Sequence, residues 1–426
     1  RNTKASLRVC LCFVEAPEED ATCLPLFIHS FPRSSHMVRR ALSPSSSHPF
    51  HRQHQVPRAS LGRWFGGDGR ELPATTPDDM ATALLHAVGK NTKLSARREE
   101  GMGRGVFTSS PVFPGTTVAR SELVIDTAWA RASAYCQDID GMDGMDGMDG
   151  MDGMDGMDGM DGEDPYAVLC VFLYRFLYCS SRKVRDAEST ALSCYREVLL
   201  ADASTSVLDW AENDVDMLLG SHLHTMARDM RRTGEATIGV VDGILGGNND
   251  LTALRRCLSI LLTRLVRLDD GSVALAPGLD LLNHASSSRS YIAGTRAGVR
   301  VVNRDGVLSK ESQVLVNYGA KTSGELFISY GFLPAENPHD GVLVPLEGGE
   351  TVVLGIDGGV RLMGSGRGVD RGNVRAELKR AVRRQLEAME VHGCGRMDGS
   401  DDAFREQVRG VISSERKVLS RALMAL

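Results

Sequence analysis

The chain has 426 residues, a hydrophobic content of 42% and a formal net charge of −6 at pH 7. This length and apolar content are enough for a large core and predict two or three domains. The acidic balance gives no indication of nucleic acid as a partner. The nine cysteines are scattered without a Cys-x-x-Cys pair, which favours a reducing compartment and disfavours a zinc site. No apolar run reaches about 18 residues, so no transmembrane helix is predicted.

The amino-terminal segment, residues 1–70, has a composition unlike that of a folded domain. Residues 21–67 contain no Asp or Glu, but they contain six Arg and many Ser. This composition is typical of an organelle transit peptide, with Met37 as a candidate initiator. A disordered basic tail is an equally good interpretation. We expect a chloroplast or other organelle location, with the cytoplasm or nucleus as the alternative.

The first predicted helix begins at Thr76, because Thr is a good N-cap and Pro77 suits the first helical position. A glycine-rich segment follows at residues 100–107 (EGMGRGVF). Glycine at alternate positions lets the backbone pass close to a ligand or to another strand. The spacing matches neither a Rossmann fingerprint nor a P-loop. By itself, therefore, the segment indicates an ordinary glycine-rich turn.

Residues 141–162 repeat Met-Asp-Gly without interruption and predict a flexible acidic loop, because this much Gly and Asp disfavours helix and strand. The pattern from about residue 165 to 245 is helical. Residues 251–268 form the clearest amphipathic helix. Arg264 lies at the edge of its apolar stripe, where an arginine either extends its charge to water or binds an anion.

The candidate chemistry lies in residues 276–332, which contain three motifs: 280–284 (DLLNH), 317–319 (NYG) and 330–332 (YGF). Alternating residues from Val314 to Tyr318 predict a short strand, and Thr322 with Glu325 predicts a capping box that begins a short helix. On spacing alone, the simpler interpretation is that Tyr318 and Tyr330 are core aromatics with hydrogen-bonded hydroxyls. The alternative is that they converge with the Asn-His pair on one pocket.

In combination, the three motifs resemble the core of a SET-domain methyltransferase, in particular the ribulose bisphosphate carboxylase large-subunit lysine methyltransferase family. That family carries D-x-x-N-H, then a strand ending in Tyr-Gly and a helix ending in Y-G-F. The tripeptide at 100–102 also matches the family's cofactor-contacting tripeptide. Two departures are Ala285, where the family usually has Ser, and Ser323-Gly324, where it usually has Asn-Ala. The resemblance covers about residues 75–426, apart from the Met-Asp-Gly repeat.

The resemblance implies an α+β fold with a mostly-β SET core, a helical insert and a C-terminal helical domain. The SET domain would span 75–335, with 141–162 as a low-complexity loop and about 165–245 as the insert. Residues 340–426 would form a helical substrate-binding domain, with two helices near 373–391 and 402–425. Because the helical pattern still continues at Leu426, this domain would be incomplete.

The activity implied by the resemblance is methyl transfer from S-adenosyl-L-methionine to a lysine nitrogen of a protein, with Tyr318 as the catalytic residue and no metal. The cofactor-binding residues implied are Glu100, Gly101, Met102, Arg264, Asn283 and His284. The acceptor pocket would be lined by Asp280, Tyr291 and Tyr330. The expected partner is a lysine-bearing protein substrate, and the expected state is a monomer.

Two other functions remain open at this point. Relatives of the family methylate histidine, so a histidine acceptor is one alternative. A SET fold without catalysis, serving as a partner-binding module, is the other. The joint presence of Tyr318, Asn283 and His284 disfavours an inactive module, whereas the Ser323-Gly324 departure leaves it open.

Overall fold

The structure is a computed structural model, and it describes residues 76–99, 103–137, 164–179, 184–185, 188–202, 206–347, 351–356, 359–363, 371–392 and 402–426. The amino-terminal segment, the tripeptide at 100–102 and the Met-Asp-Gly repeat lie outside the described residues. The helices are α1 (Pro77–Gly89), α2 (Thr127–Ala132), α3 (Pro165–Tyr174), α4 (Thr190–Ala201), α5 (Glu212–Asp216), α6 (His222–Ile244), α7 (Leu251–Arg264), α8 (Ser323–Tyr330), α9 (Arg371–His392) and α10 (Asp402–Ala425). The strands are β1 (Leu94–Glu99), β2 (Gly103–Thr108), β3 (Thr117–Ser121), β4 (Leu265–Arg267), β5 (Val273–Leu275), β6 (Asn283–His284), β7 (Ile292–Thr295), β8 (Gly298–Val302), β9 (Leu315–Val316), β10 (Gly341–Pro345), β11 (Thr351–Gly355) and β12 (Val360–Met363).

The strands form several small sheets. Strands β1 and β2 make an antiparallel hairpin, β4 pairs with β5, and β8 lies between β3 and β7 in an antiparallel sheet. Strands β6 and β9 run parallel, which places Asn283 beside Leu315 and His284 beside Val316. A parallel pair needs a long crossover connection. Here that pairing brings the DLLNH and NYG motifs side by side, although they are distant in sequence.

Capping residues explain where α1 and α8 begin. The Thr76 hydroxyl accepts a hydrogen bond from the Asp79 backbone N–H at 3.2 Å, and the Asp79 carboxylate accepts one from the Thr76 N–H at 2.9 Å. Thr322 and Glu325 form the same reciprocal box at the start of α8. Helix α8 ends at Tyr330 and is capped by Gly331, whose φ of 76° lies in the left-handed region that glycine tolerates. The structure confirms both predicted helix starts.

Helix α7 begins at Leu251 as predicted, but it ends at Arg264, so the predicted extent of 251–268 was too long. Residues Leu265–Arg267 instead form strand β4, whose backbone pairs with Val273–Leu275. Leu265 fits the apolar stripe of the helix equally well, so the local pattern gave no sign of the change. A tertiary backbone pairing here overrides the helical pattern. The predicted strand at 314–318 is likewise shorter, because regular pairing is limited to Leu315–Val316.

Two hydrophobic clusters form the interior of the described chain. The first lies among α1, α3, α4, α7 and the strands of the site, and it includes Leu84, Val106, Ile125, Leu169, Phe172, Tyr195, Leu261, Leu275 and Val316. The second joins α6, α8, the β10–β11–β12 sheet and the last two helices, and it includes Leu223, Phe327, Val342, Val352, Leu378, Val382, Val408, Ile412 and Leu419. The aromatic side chain of Trp210 packs on both Phe327 and Phe404, with ring centroids 5.0 and 4.9 Å away. The C-terminal section therefore packs directly against Trp210 and helix α8.

Within the described ranges, each helix is too short or too polar to cross a bilayer. The same residues contain no group of three or more His, Cys, Asp or Glu side chains arranged to hold a metal ion.

Candidate active site

A cavity of about 330 Å³ lies where the end of α7, strands β4, β7 and β9, and the end of α8 meet. Predicted site residues that line it are Arg264, Asp280, Tyr291, Tyr318 and Tyr330. The ring centroids of Tyr318 and Tyr330 are 5.0 Å apart. The structure therefore brings the two tyrosines to one cavity, whose lining does not include Asn283 or His284. Tyr291 is 43% exposed, and the guanidinium of Arg304 stacks 4.5 Å from its ring centroid.

Tyr318 lies two residues beyond strand β9, at a turn that Gly319 permits with its φ of 106°. Its hydroxyl donates a hydrogen bond to the carbonyl oxygen of Leu282 at 2.6 Å. Burial raises the pKa of Tyr318 well above its ordinary value, and the neighbouring Tyr330 hydroxyl adds to that rise. The hydroxyl is therefore protonated near neutral pH. It donates a hydrogen bond to the Leu282 carbonyl, and its oxygen can still accept a hydrogen bond from another group.

The ring of His284 holds the backbone of Tyr318 in place. The Tyr318 backbone N–H donates to Nδ1 of His284 at 3.1 Å, so the neutral ring carries its proton on Nε2. That Nε2 lies 2.9 Å from the hydroxyl oxygen of Ser286 and donates to it. Burial lowers the pKa of His284 to about 4, so the ring is neutral near neutral pH. The ring of His284 therefore positions Tyr318, and its predicted contact with the cofactor stays a prediction.

The glycine-rich strand β2 approaches Asn283 closely. A Cβ atom on Gly105 would lie 3.1 Å from Nδ2 of Asn283 and 1.9 Å from Nε2 of Gln313, so only glycine fits there without movement. Nε2 of Gln313 is buried and has no hydrogen-bond partner among the described residues. An unsatisfied buried donor is unfavourable and calls for an explanation such as a bound ligand. The neighbouring tripeptide Glu100, Gly101 and Met102 lies outside the described residues.

Arg264 joins the cavity to two acidic residues. Its Nη1 donates to the carbonyl oxygen of Asp280 at 3.1 Å, and its Nη2 donates to Oδ2 of Asp202 at 2.9 Å. Its side chain is only 15% exposed, so it pairs with anions in the interior and does not extend to water. An arginine that lines a cavity and keeps further N–H donors is suited to bind a carboxylate.

The carboxylate of Asp280 is fully buried, with a side-chain exposure of 0%. It accepts a hydrogen bond from the Tyr195 hydroxyl at 2.7 Å and another from the Gly278 backbone N–H at 3.0 Å. Burial raises the pKa of the Asp280 carboxyl, and the facing Arg264 opposes that rise. Asp280 lines the cavity as predicted, but its hydrogen bonds tie it to the protein interior.

The two departures from the family motifs are accommodated locally. Although Ala285 has no hydroxyl, the hydroxyl of the next residue, Ser286, accepts a hydrogen bond from Nε2 of His284. At the start of α8, a Cβ atom on Gly324 would lie 2.7 Å from Cδ2 of Leu223, so a small residue is needed at this contact. The backbone N–H of Ser323 donates to Oδ1 of Asp340 at 3.0 Å. The short helix therefore forms with its capping box intact.

Four groups that contact the predicted site residues were not predicted from the sequence: the Leu282 carbonyl, Ser286, Tyr195 and Asp202. The only local signal for Ser286 was its closeness in sequence to His284, two residues earlier. Tyr195 and Asp202 reach the site from α4 and from the residue that follows it. No local pattern indicates that contact, because it depends on how the helix packs.

No family model matches the sequence, and the search of curated proteins found no match. Solved structures do match. The SET domain of LSMT bound to lysine and AdoHcy has a TM-score of 0.56 and 14% identity, covering 82% of this chain and 90% of that one. Rubisco LSMT bound to AdoMet gives a TM-score of 0.55 at 14% identity, covering 82% and 91%. The same protein bound to sinefungin and monomethyllysine gives 0.54 at 15%, covering 83% and 91%. The chain therefore has the SET-domain fold of these LSMT structures.

Proposed function

We propose that this chain is a methyltransferase that uses S-adenosylmethionine and modifies the side-chain nitrogen of a lysine in a protein. The observation that supports it most is the Tyr318 hydroxyl, bonded to the Leu282 carbonyl in the wall of a cavity that Arg264 also lines. This arrangement occurs within a fold whose solved neighbours are bound to AdoMet, AdoHcy and lysine.

The residues of the site fit such a cofactor. Arg264 offers a partly buried guanidinium for the carboxylate of the cofactor's amino-acid end. Beside Gly105, close to Asn283, the buried Nε2 of Gln313 would be satisfied by an acceptor atom of the ligand. Bound S-adenosylmethionine supplies a methyl group that is already activated on a positively charged sulfur.

The remaining task of the protein is to present a neutral amine in line with that methyl group. A free lysine has a pKa of about 10.4, so losing its proton near neutral pH costs roughly 4–5 kcal/mol. The apolar side chains of Leu265, Leu282 and Val316 are part of the cavity wall, and burial of an amine against them would lower its pKa. The lysine would therefore give its proton to bulk water as it enters the site, and the site would hold the neutral amine that results.

Tyr318 acts by orientation in this proposal. Its raised pKa keeps the phenol protonated, so it does not serve as a strong base. With its proton donated to Leu282, its oxygen accepts an N–H of the incoming amine and sets the direction of the nitrogen lone pair. Burial also raises the pKa of Tyr330 to about 12, so its hydroxyl is a second protonated group in the acceptor end of the cavity.

The test is to incubate the protein with labelled S-adenosylmethionine and a cell or organelle extract, and then to identify the labelled peptide by mass spectrometry. The proposal expects label on lysine, and a much lower rate of labelling with Tyr318→Phe. Label on histidine would replace lysine with the histidine alternative. Stable capture of a partner without transfer would favour a binding module. A folded wild-type protein that does not bind S-adenosylmethionine in calorimetry would overturn the proposal.

A further inference from the structure

We propose that Asp202 is a positioning residue that sets the affinity for the cofactor's amino-acid end by holding Arg264 in the cavity wall. The inference rests on the proposed function, because it takes Arg264 as the group that binds the cofactor carboxylate. It adds a residue outside the three motifs to the machinery of the site.

Asp202 follows α4 directly, and its carboxylate bridges two parts of the site. Oδ2 accepts a hydrogen bond from Nη2 of Arg264 at 2.9 Å, at the end of α7. Oδ1 accepts one from Nη2 of Arg98 at 3.1 Å and another from Nη1 of Arg104, both in the β1–β2 hairpin. The side chain of Asp202 is only 13% exposed, so water screens these contacts weakly.

Arg264 needs such an anchor to face the cavity in one orientation. A guanidinium on a long side chain has many rotamers, and immobilising it is unfavourable in entropy. Asp202 on one side and the Asp280 carbonyl on the other fix the plane of the group. The donors that these two acceptors do not use are then preorganised for an incoming carboxylate.

The hairpin end of the bridge holds the Asp202 carboxylate itself in place. Arg104 precedes Gly105, which approaches Asn283, and its side chain is 2% exposed. Its Nε pairs with Oδ1 of Asp78 at 3.0 Å, whereas its Nη2 is buried without a hydrogen-bond partner in the described part of the chain. Asp202 thus ties the strand beside Asn283 to the arginine in the cavity wall.

Loss of the Asp202 charge would leave the buried guanidiniums of Arg104 and Arg264 without their shared anion. The Asp280 carboxylate, whose Oδ2 is 3.8 Å from Nη1 of Arg264, would then be the nearest remaining anion. Arg264 is expected to move toward it and away from the position that faces the ligand carboxylate. Ligands without a carboxylate would not sense that movement.

This difference provides the test. Calorimetry on wild type and Asp202→Asn is run with S-adenosylhomocysteine, which carries the amino-acid end, and with 5′-methylthioadenosine, which lacks it. We expect the dissociation constant for S-adenosylhomocysteine to rise about 10-fold and that for methylthioadenosine to stay unchanged. Asp202→Glu, which keeps the charge, should recover part of the affinity. Adding Asp202→Asn to Arg264→Ala should cause no further loss.

The matched control is Asp78→Asn, since Asp78 also pairs with Arg104 but does not contact Arg264. It should lower the thermal midpoint without changing the ratio of the two dissociation constants. If Asp202→Asn weakens both ligands equally, Asp202 is merely structural and the inference is wrong. It is equally wrong if wild type binds both ligands and Asp202→Asn leaves the ratio of the two dissociation constants unchanged. If Asp202→Asn does not fold, Asp202→Ser, which also removes the charge, takes its place in this comparison. Failure of the wild type to bind either ligand would instead overturn the proposed function itself.

Discussion

The hydroxyl of Tyr318 donates a hydrogen bond of 2.6 Å to the carbonyl oxygen of Leu282. This bond crosses the parallel pair β6–β9, because Leu282 precedes β6 and Tyr318 follows β9. The ring of His284 supports this contact, because its Nδ1 accepts a hydrogen bond from the Tyr318 backbone N–H. Two segments distant in sequence are therefore locked together at the atom that the proposed reaction uses.

Tyr318→Phe should abolish most of the turnover while retaining the fold. The ring still packs against Tyr330, so the free energy of unfolding should fall by only about 1 kcal/mol for the lost hydrogen bond. The rate should fall about 100-fold or more, because a hydroxyl that orients the amine acts mainly in the transition state. Cofactor affinity measured by calorimetry should be nearly unchanged. Tyr330→Phe is the comparison, and we expect it to alter substrate affinity or the number of methyl groups more than the rate.

Gly105→Ala should weaken cofactor binding. The added methyl group would lie 1.9 Å from Nε2 of Gln313 and 3.1 Å from Nδ2 of Asn283, so both amides would have to move. The control is Gly306→Ala, because a Cβ atom there meets nothing within 4 Å. Titration of each variant with S-adenosylmethionine should show a raised dissociation constant for the first and a wild-type value for the second. Equal affinities in the two variants would show that the Gly105 contact does not affect cofactor binding.

Stability should depend on pH through His284. Its pKa falls from an ordinary value of 6.5 to about 4 in the folded protein, so between these values the unfolded chain binds a proton that the folded one does not. The stabilisation is therefore complete above pH 6.5 and is lost as the pH falls toward 4. The free energy of unfolding, measured by urea titration at several pH values across this window, should depend less steeply on pH in His284→Asn. The side-chain oxygen of Asn can replace Nδ1 as the hydrogen-bond acceptor.

His222 titrates in the same window, because burial lowers its pKa to about 4 as well. His222→Asn therefore serves as the matched control, because it removes the contribution of the His222 ring to the pH dependence of stability. Only His284→Asn should also change turnover, since only His284 contacts Tyr318. A slope that neither substitution alters would contradict the assignment of the pH dependence to these rings.

Thr322→Ala should remove the cap of α8 and disturb the acceptor end of the cavity. Loss of such a cap lowers the free energy of unfolding by about 1 kcal/mol. Because Tyr330 is the last residue of α8, the Michaelis constant for the protein substrate should also rise. Thr76→Ala removes the equivalent cap from α1 and should have a similar effect on stability without an effect on kinetics. A Michaelis constant raised equally in both variants would show a general loss of structure.

The sequence predicted those parts of the site that have a local physical signature. The capping box at Thr322, the exit at Gly319 and the order of the three motifs all follow from neighbouring residues, and the structure has them. The end of α7 at Arg264 could not be predicted, because Leu265 suits a helix stripe and a strand equally well. The bond between Arg264 and Asp202 was also inaccessible, because the two residues meet only through the packing of α4 against α7. Long-range partners of polar side chains thus account for most of what was missed.

The contact between Gly324 and Leu223 has an evolutionary consequence. A methyl group at position 324 would lie 2.7 Å from the end of the Leu223 side chain, which belongs to the insert and not to the motif region. A related chain that carries alanine at 324 therefore needs a smaller or shifted side chain at 223. The two positions should therefore covary among relatives. The departure at Ser323-Gly324 would then be one half of a coupled exchange. The other half would be position 223 in helix α6, about a hundred residues upstream.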